Sequence, residues 1–397
     1  MTFDHDRKTG GVFVYDGKQT KSITFEEYQE MSKKYYSSAY KLIRKEDRLT
    51  IEETYTKYKT AADALKKETD GFVDLYKSGE KTVTALVAFE RLRDEKYEPT
   101  QISAQQAIWI MNASYGALVG CEKGYKGKGY KYDFVSRYPD IMRRNDFLVP
   151  MEEGQYQTIK KYVPHGCAIY RCRIERKEDK IIHFKYNDKC DFYPSKDVRR
   201  ALQLGLTVTM IDDGEPNLLY WSKEKCKTGH QIFGSYINYF FDLKEKGIPM
   251  GKDILTCLRG KLCQKDVIKV HVKRDAKKVE EIYDNRTVKS ITPFVSGWML
   301  ELIKTEKPFE TIWARMEPFL LSEARYELSH LMALCEPVYY HTDGLISKTK
   351  LRLKKSTSKH IPNFVLGKDM GNVRYEGECD EVKVKHVSAK PTGTFYF

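Results

Sequence analysis

Two aspartates from distant parts of the chain stand at the ends of apolar, β-prone runs. Asp133 lies in Tyr132-Asp133-Phe134-Val135-Ser136-Arg137-Tyr138-Pro139-Asp140-Ile141-Met142, and Asp343 in Val338-Tyr339-Tyr340-His341-Thr342-Asp343-Gly344-Leu345. A carboxylate at a strand end can meet a second one from elsewhere in the chain. Two such acids can share a pair of divalent cations, the arrangement that phosphoryl and nucleotidyl transfer require. For that, the two carboxylates must lie within about 4–5 Å of each other. Either segment alone is a strand ending in an acid.

The elements that would position them can be read from periodicity and turn chemistry. The first hundred residues read as helical. Thr24-Phe25-Glu26-Glu27 has capping-box form, and Phe25, Tyr28, Met31, Tyr35 and Leu42 follow at helical spacing. Further helices are expected over 51–76, 84–94 and 105–111. Lys123-Gly124-Tyr125-Lys126-Gly127-Lys128-Gly129-Tyr130-Lys131 is a loop of Gly, Lys and Tyr leading into Asp133, suited to a nucleic-acid backbone or equally to a solvated hairpin tip. Short strands are expected over 159–193, including 167–174 and 181–186. A helix capped by Ser195 should run to Leu204 and precede a strand over 206–211. Helices are expected over 232–243 and 252–263, a basic strand-like stretch over 265–286, and a buried helix over 318–335 ahead of the His341-Thr342-Asp343 strand. Val382-Lys383-Val384-Lys385 puts lysines on one face and valines on the other. Strands and helices mix without βαβ alternation, which favours an α+β architecture.

Composition narrows the class. The chain has 397 residues, 41% of them hydrophobic, with 28 Tyr and 18 Phe, enough for a sizeable core in two or three domains. Its 69 Lys and Arg leave a formal charge of +13, which points to a polyanionic partner, nucleic acid before membrane. Nine cysteines without a Cys-x-x-Cys pair read as reduced thiols of an intracellular protein, most simply in the cytoplasm of a host cell. The N-terminus has no signal-peptide form, so secretion is not expected, and no apolar run is long enough to span a membrane.

The motifs resemble the polymerase region of family B DNA polymerases, specifically the protein-primed group of phages, linear plasmids and related viruses. That group has an aspartate followed by x-x-Ser-Leu-Tyr-Pro; here stands Asp133-Phe134-Val135-Ser136-Arg137-Tyr138-Pro139, with Arg137 in place of the leucine. The resemblance makes Asp133 a metal ligand together with the Phe134 carbonyl, and Tyr138 the ring that excludes a 2′-hydroxyl. A second motif, Lys-x-x-x-Asn-Ser-x-Tyr-Gly, corresponds to Lys252 through Gly260, with Thr256, Cys257 and Arg259 replacing Asn, Ser and Tyr. Lys252 would meet the triphosphate as a point charge, and Arg259 takes the place of a tyrosine near the nascent base pair. The third, Tyr-x-Asp-Thr-Asp-Ser, corresponds to Tyr339-Tyr340-His341-Thr342-Asp343-Gly344. Asp343 keeps the metal-ligand position and His341 replaces the first acid. Strand alternation puts His341 on the same face as Asp343. His341 either tunes the site or offers a nitrogen ligand; tuning is preferred because Mg²⁺ favours oxygen, and lower activity or an altered metal preference is expected.

Weaker echoes are Ala324-Arg325, Ser114-Tyr115-Gly116-Ala117 and Lys390-Pro391-Thr392. They give Tyr115, Gly116, Arg325 and Lys390 a place at DNA, beside the basic Lys126, Lys128, Lys131, Lys383 and Lys385. The resemblance implies a right-hand polymerase fold. Its palm, an antiparallel sheet with helices, spans 123–150 and 301–397 with the thumb reduced or absent, and short helical fingers span 231–263. An insertion over 151–230 would contact a terminal protein, a second covers 264–300, and residues 1–122 would be a helical exonuclease remnant or cap without exonuclease acids. The implied activity is DNA-directed DNA polymerisation with two Mg²⁺ or Mn²⁺ ions, a DNA template and primer, dNTPs, a terminal-protein primer, and a separate exonuclease or processivity subunit. The alternatives are a catalytically weakened nucleic-acid-binding subunit and a template-independent terminal nucleotidyltransferase.

Overall fold

A computed structural model of the chain describes residues 1–5, 12–24, 27–28, 30–31, 43–177, 183–273, 288–294, 297–304, 306–353 and 361–386. Phe25, Tyr35, Leu42, Ile181, residues 274–286 and Lys390 lie outside the described residues. The chain begins with β1 (Thr2–His5), β2 (Val12–Tyr15), β3 (Thr20–Ile23) and β4 (Ile43–Arg44), followed by α1 (Ile51–Glu68), α2 (Leu75–Ser78) and α3 (Lys81–Leu92). Next come α4 (Ala104–Ala113), β5 (Val119–Cys121), β6 (Lys126–Phe134), α5 (Arg137–Met142), β7 (Leu148–Pro150), β8 (Gln155–Gln157) and β9 (Cys167–Ile174). Then follow β10 (Phe192–Pro194), α6 (Ser195–Gln203), β11 (Val208–Met210), β12 (Leu218–Trp221), β13 (Cys226–Thr228), α7 (Gly229–Glu245) and α8 (Gly251–Leu262). The last are β14 (Val267–Lys273), β15 (Val288–Phe294), β16 (Gly297–Ile303), α9 (Glu317–Met332), β17 (Pro337–His341), β18 (Gly344–Ser347) and β19 (Val373–Lys383).

These elements form two compact units, each discontinuous in sequence: residues 1–95 with 235–312, and residues 96–234 with 313–397. The mixture of helices with mainly antiparallel strands is as the sequence suggested, β1 and β4 being paired in parallel.

In the first unit, the expectation of helix throughout the N-terminal region is corrected. Strands β1 to β4 form a sheet of order β3-β2-β1-β4. The reason lies in Val12-Phe13-Val14-Tyr15, whose two valines are buried while Phe13 is exposed, a period of two that a helix cannot satisfy. The capping pair does form: the Thr24 N–H donates to Glu27 Oε2 at 2.7 Å, and the Glu27 N–H to Thr24 Oγ1 at 3.1 Å. Thr50 and Glu53 make the same box at the start of α1. Helix α8 buries Ile254, Leu255, Leu258 and Leu262 and leaves Lys252 and Thr256 exposed. A three-stranded sheet of order β14-β16-β15 completes this unit.

The second unit is built around the five-stranded antiparallel sheet β19-β6-β18-β17-β5. Tyr132, Phe134, Tyr340, Leu345 and Val373 from the sheet pack with Leu328, Leu331 and Met332 of α9. Helix α9 is buried along nearly its whole length, so its polar side chains must find partners within the protein. Arg325 bonds Asp197, Glu327 bonds Arg144, and Ser329 accepts from Arg200 Nε at 2.7 Å. A second sheet, β10-β9-β12-β8 with β11 on β9, lies in the same unit. Ser195 was expected to cap α6; instead Pro194 holds that position, and the Ser195 hydroxyl donates to the Gly166 carbonyl. The strand expected over 181–186 is not found among the described residues 183–186.

Candidate active site

Register places the candidate residues in one line across the sheet. Arg374 of β19 pairs with Asp133 of β6, Asp133 with Gly344 of β18, Gly344 with His341 of β17, and His341 with Val119 of β5. Residues directly opposite one another project from the same face, so this row is cation, acid, open position, imidazole, aliphatic. The open position matters: a Cβ on Gly344 would come within 3.0 Å of Asp133 Oδ1.

Asp343 sits beside the row in the β17–β18 turn. The Phe134 N–H donates to the Asp343 carbonyl at 2.9 Å, tying the two acidic segments together. The expected strand alternation from His341 to Asp343 is corrected here, because the chain reverses between them. The Asp343 N–H donates to the His341 carbonyl at 2.7 Å around Thr342, which has φ +59°. This is the strained form of the three-residue turn. His341 is exposed, stacks on Tyr339 with ring planes 10° apart, and has Nδ1 3.1 Å from Thr342 Oγ1.

Left-handed backbone marks the neighbourhood of all three motifs. Of five non-glycine residues with positive φ among those described, Ser136 follows the Asp133 segment, Met250 precedes Lys252, and Thr342 precedes Asp343. Such conformations cost on the order of 1–3 kcal/mol each and persist where the surroundings enforce them, as functional sites often do.

The electrostatics fit a cation. Burial, and then the charges of Asp343 and Glu376, push the Asp133 carboxyl up to about 6, while Arg374 and Lys131 pull the other way. Two like charges in a partly buried place are what a divalent ion relieves, and Asp133, Asp343 and the Phe134 carbonyl are hard oxygen donors suited to Mg²⁺ or Mn²⁺. No group of three or more His, Cys, Asp or Glu side chains among the described residues is placed to hold an ion, so the site rests on an acid pair.

A stability consequence follows. The folded-state pKa of Asp133 lies above its unfolded value, so its charge opposes folding. That penalty is complete above about pH 6 and disappears as the pH falls towards 4. With allowance for solvent screening of a half-buried group it is about 1–2 kcal/mol. In the presence of a chelator, Asp133→Asn should therefore be the more stable protein by that amount at pH 7.5, with the difference shrinking as the pH falls. Urea denaturation across this range checks it, and equal stabilities at pH 7.5 would refute it.

Arg137, which stands in the first motif where a leucine was expected, is buried under the site. Its guanidinium lies 3.6 Å from the Phe134 ring centroid and pairs with Glu327 at 3.4 Å. Tyr138 is half-buried in the first turn of α5.

The expected DNA contacts divide. Gly116 is exposed, but Tyr115 and Arg325 are both buried and hold each other, so their expected direct contact with DNA is corrected. Arg325 Nη1 donates to the Tyr115 carbonyl at 2.8 Å, its Nε to Asp197 Oδ1 at 3.1 Å, and the Tyr115 hydroxyl to Asp197 Oδ2 at 2.7 Å. Arg325 thus shapes the turn that presents Gly116. The loop expected over 123–131 becomes β6 from Lys126 onwards, and its lysines are paired across to β19. Lys126 meets Glu381 at 2.9 Å, Lys128 meets Glu378 at 3.8 Å, and Lys131 meets Glu376 at 3.5 Å. Lys383 also reaches Glu381, at 2.8 Å, and Lys385 is exposed. Val382 and Val384 are buried on the opposite face, as their alternation indicated. Lys252 and Arg259 belong to the first unit, on α8, Lys252 exposed and Arg259 half-exposed.

Arg374 and Glu376 were not anticipated. Arg-Tyr-Glu over 374–376 is unremarkable as sequence, and only its register on β6 brings it to Asp133. No helix among the described residues is long and apolar enough to cross a membrane.

No family model matches the chain, and no curated protein does. Among solved structures it is similar to phi29 DNA polymerase in an orthorhombic crystal form, with 16% identity and a TM-score of 0.57, over 97% of this chain and 71% of that one. The same polymerase complexed with single-stranded DNA gives 16% identity and a TM-score of 0.58 over 97% and 70%. Its ternary complex with primer-template DNA and incoming nucleotide gives 16% and 0.57 over 87% and 59%. The chain therefore has a DNA-polymerase fold.

Proposed function

We propose that this protein is a DNA-directed DNA polymerase that transfers nucleotides from dNTPs to a primer hydroxyl. The observation that carries the reading is the meeting of Asp133 and Asp343, from distant segments, at one end of the central sheet of a polymerase-like fold. In this reading residues 123–150 and 301–397 are the palm and 231–263 the fingers, with the insertions over 151–230 and 264–300 as expected from the motifs. Asp133, Asp343 and the Phe134 carbonyl would hold Mg²⁺ or Mn²⁺, which when bound supply Lewis-acid assistance to the attacking hydroxyl and the departing pyrophosphate. The primer oxygen forms a bond to the α-phosphorus, the bond from that phosphorus to the β-bridging oxygen breaks, pyrophosphate leaves, and the hydroxyl proton passes to solvent. The motif resemblance gives Lys252 the triphosphate, Arg259 a place near the nascent base pair and Tyr138 the exclusion of a 2′-hydroxyl. DNA template and primer are the partners, with a terminal protein as an alternative source of the priming hydroxyl.

A second reading, a polymerase-fold binding subunit of weakened catalysis, is favoured by one observation, His341 in place of an acid. Primer extension by the purified chain separates the two, run in Mg²⁺ and in Mn²⁺, with and without template. Template-directed incorporation is expected. Incorporation without template would make the enzyme a terminal transferase, and DNA binding with no incorporation in either metal would leave the binding subunit.

A further inference from the structure

Arg374 stands directly opposite Asp133, so the two side chains share the open face of the sheet. Its Nε donates to Glu376 Oε1, and Glu376 is itself held by Lys131 at 3.5 Å. With Nε tied, the planar guanidinium is fixed in one orientation. Its two Nη groups make no hydrogen bond to any of the described residues, and 47% of the side chain is exposed. This sets it apart from Arg137, Arg144 and Arg325 in the same unit, whose guanidinium groups are turned into ion pairs with Glu327, Asp140 and Asp197. Were neutralisation of Asp133 its only task, its Nη groups would bond that carboxylate, and they do not. A tethered guanidinium with a free fork matches two oxygens of a phosphate. Gly344, on the other side of Asp133, puts no side chain in the way.

We propose that Arg374 contacts a phosphate of the substrate beside the Asp133–Asp343 pair, oriented for it by Glu376. The phosphate belongs either to the incoming triphosphate or to the backbone of the primer strand. This rests on the polymerase reading, and the experiment is arranged so that the two can fail separately.

Binding is measured by fluorescence anisotropy in Ca²⁺, with one arm using a fluorescent deoxynucleoside triphosphate and the other a labelled primer-template duplex. The full chain is compared with Arg374→Ala, Arg374→Lys and Glu376→Gln, and thermal unfolding is recorded for each. Arg374→Ala should weaken one arm by about tenfold or more with an unchanged unfolding temperature, and Arg374→Lys should restore part of the loss. The arm that weakens identifies which phosphate is held. Glu376→Gln should weaken the same arm by a smaller factor. Both arms unchanged within twofold would overturn the proposal, as would losses that only follow a fall in unfolding temperature. Wild-type protein that binds neither probe would instead remove the polymerase reading, and this inference with it.

Discussion

Asp343→Asn is expected to lower single-turnover primer extension by about three orders of magnitude while leaving the fold intact. The size follows from what the acid pair is for. Holding divalent cations at the reacting phosphate contributes several kcal/mol of transition-state stabilisation, and each 1.36 kcal/mol is tenfold in rate. The site has little redundancy to soften the loss. No group of three or more His, Cys, Asp or Glu side chains among the described residues is placed to hold an ion, and the residue across from Gly344 is His341 and not an acid. Asp343 is half-exposed in a turn, so an isosteric amide disturbs no packing. Circular dichroism and the urea midpoint should match wild type. Extension within tenfold of wild type would separate Asp343 from the chemistry and with it the proposed reaction.

Arg325→Met is the second large effect, and it acts on the fold. Arg325 and Asp197 each keep only 3% of their side chains exposed, and Tyr115 completes the group through its hydroxyl. Removing one partner of such a pair leaves a buried, uncompensated charge at a cost of about 3–5 kcal/mol. A protein of ordinary stability loses a large share of it by that change. Replacing both partners, Arg325→Met with Asp197→Leu, should recover most of the loss, because the expense lies in the orphaned carboxylate. Chemical denaturation of the two variants decides the matter. A single substitution costing under 1 kcal/mol would mean that water reaches Asp197. Because Arg325 also holds the Tyr115 and Gly116 carbonyls, the single variant should show a loosened 115–116 turn, read as faster amide exchange there.

The parts of the site legible in the sequence were those that depend on neighbours along the chain. The Asp133-x-x-Ser136-x-Tyr138-Pro139 spacing, the two acids at strand ends, the buried helix over 318–335 and the face of α8 carrying Lys252 all follow from local pattern. So does the Thr24–Glu27 capping pair. What failed depended on pairing between segments far apart. Nothing within Lys123 to Lys131 indicates that Glu376, Glu378 and Glu381 lie across from its lysines, since register is fixed by the whole sheet. Arg325 resembled a contact to DNA because its motif said nothing of Asp197. The early strands were missed because four-residue alternations are short beside the helical spacing of the residues that follow. The local conformation at Thr342 was hidden for another reason: a β-branched residue at positive φ contradicts its own propensity.

Strand β19 runs for eleven residues along the rim of the central sheet. A rim of that length is ordinarily an invitation for another copy to add its own strand and start a growing stack. Here its acids Glu376, Glu378, Asp380 and Glu381 are already matched to Lys131, Lys128, Lys350, Lys126 and Lys383. A second copy would have to break those pairs or strip water from them to dock. The lysine–acid pairs along β6 and β19 thus disfavour the addition of a second copy's strand at this edge.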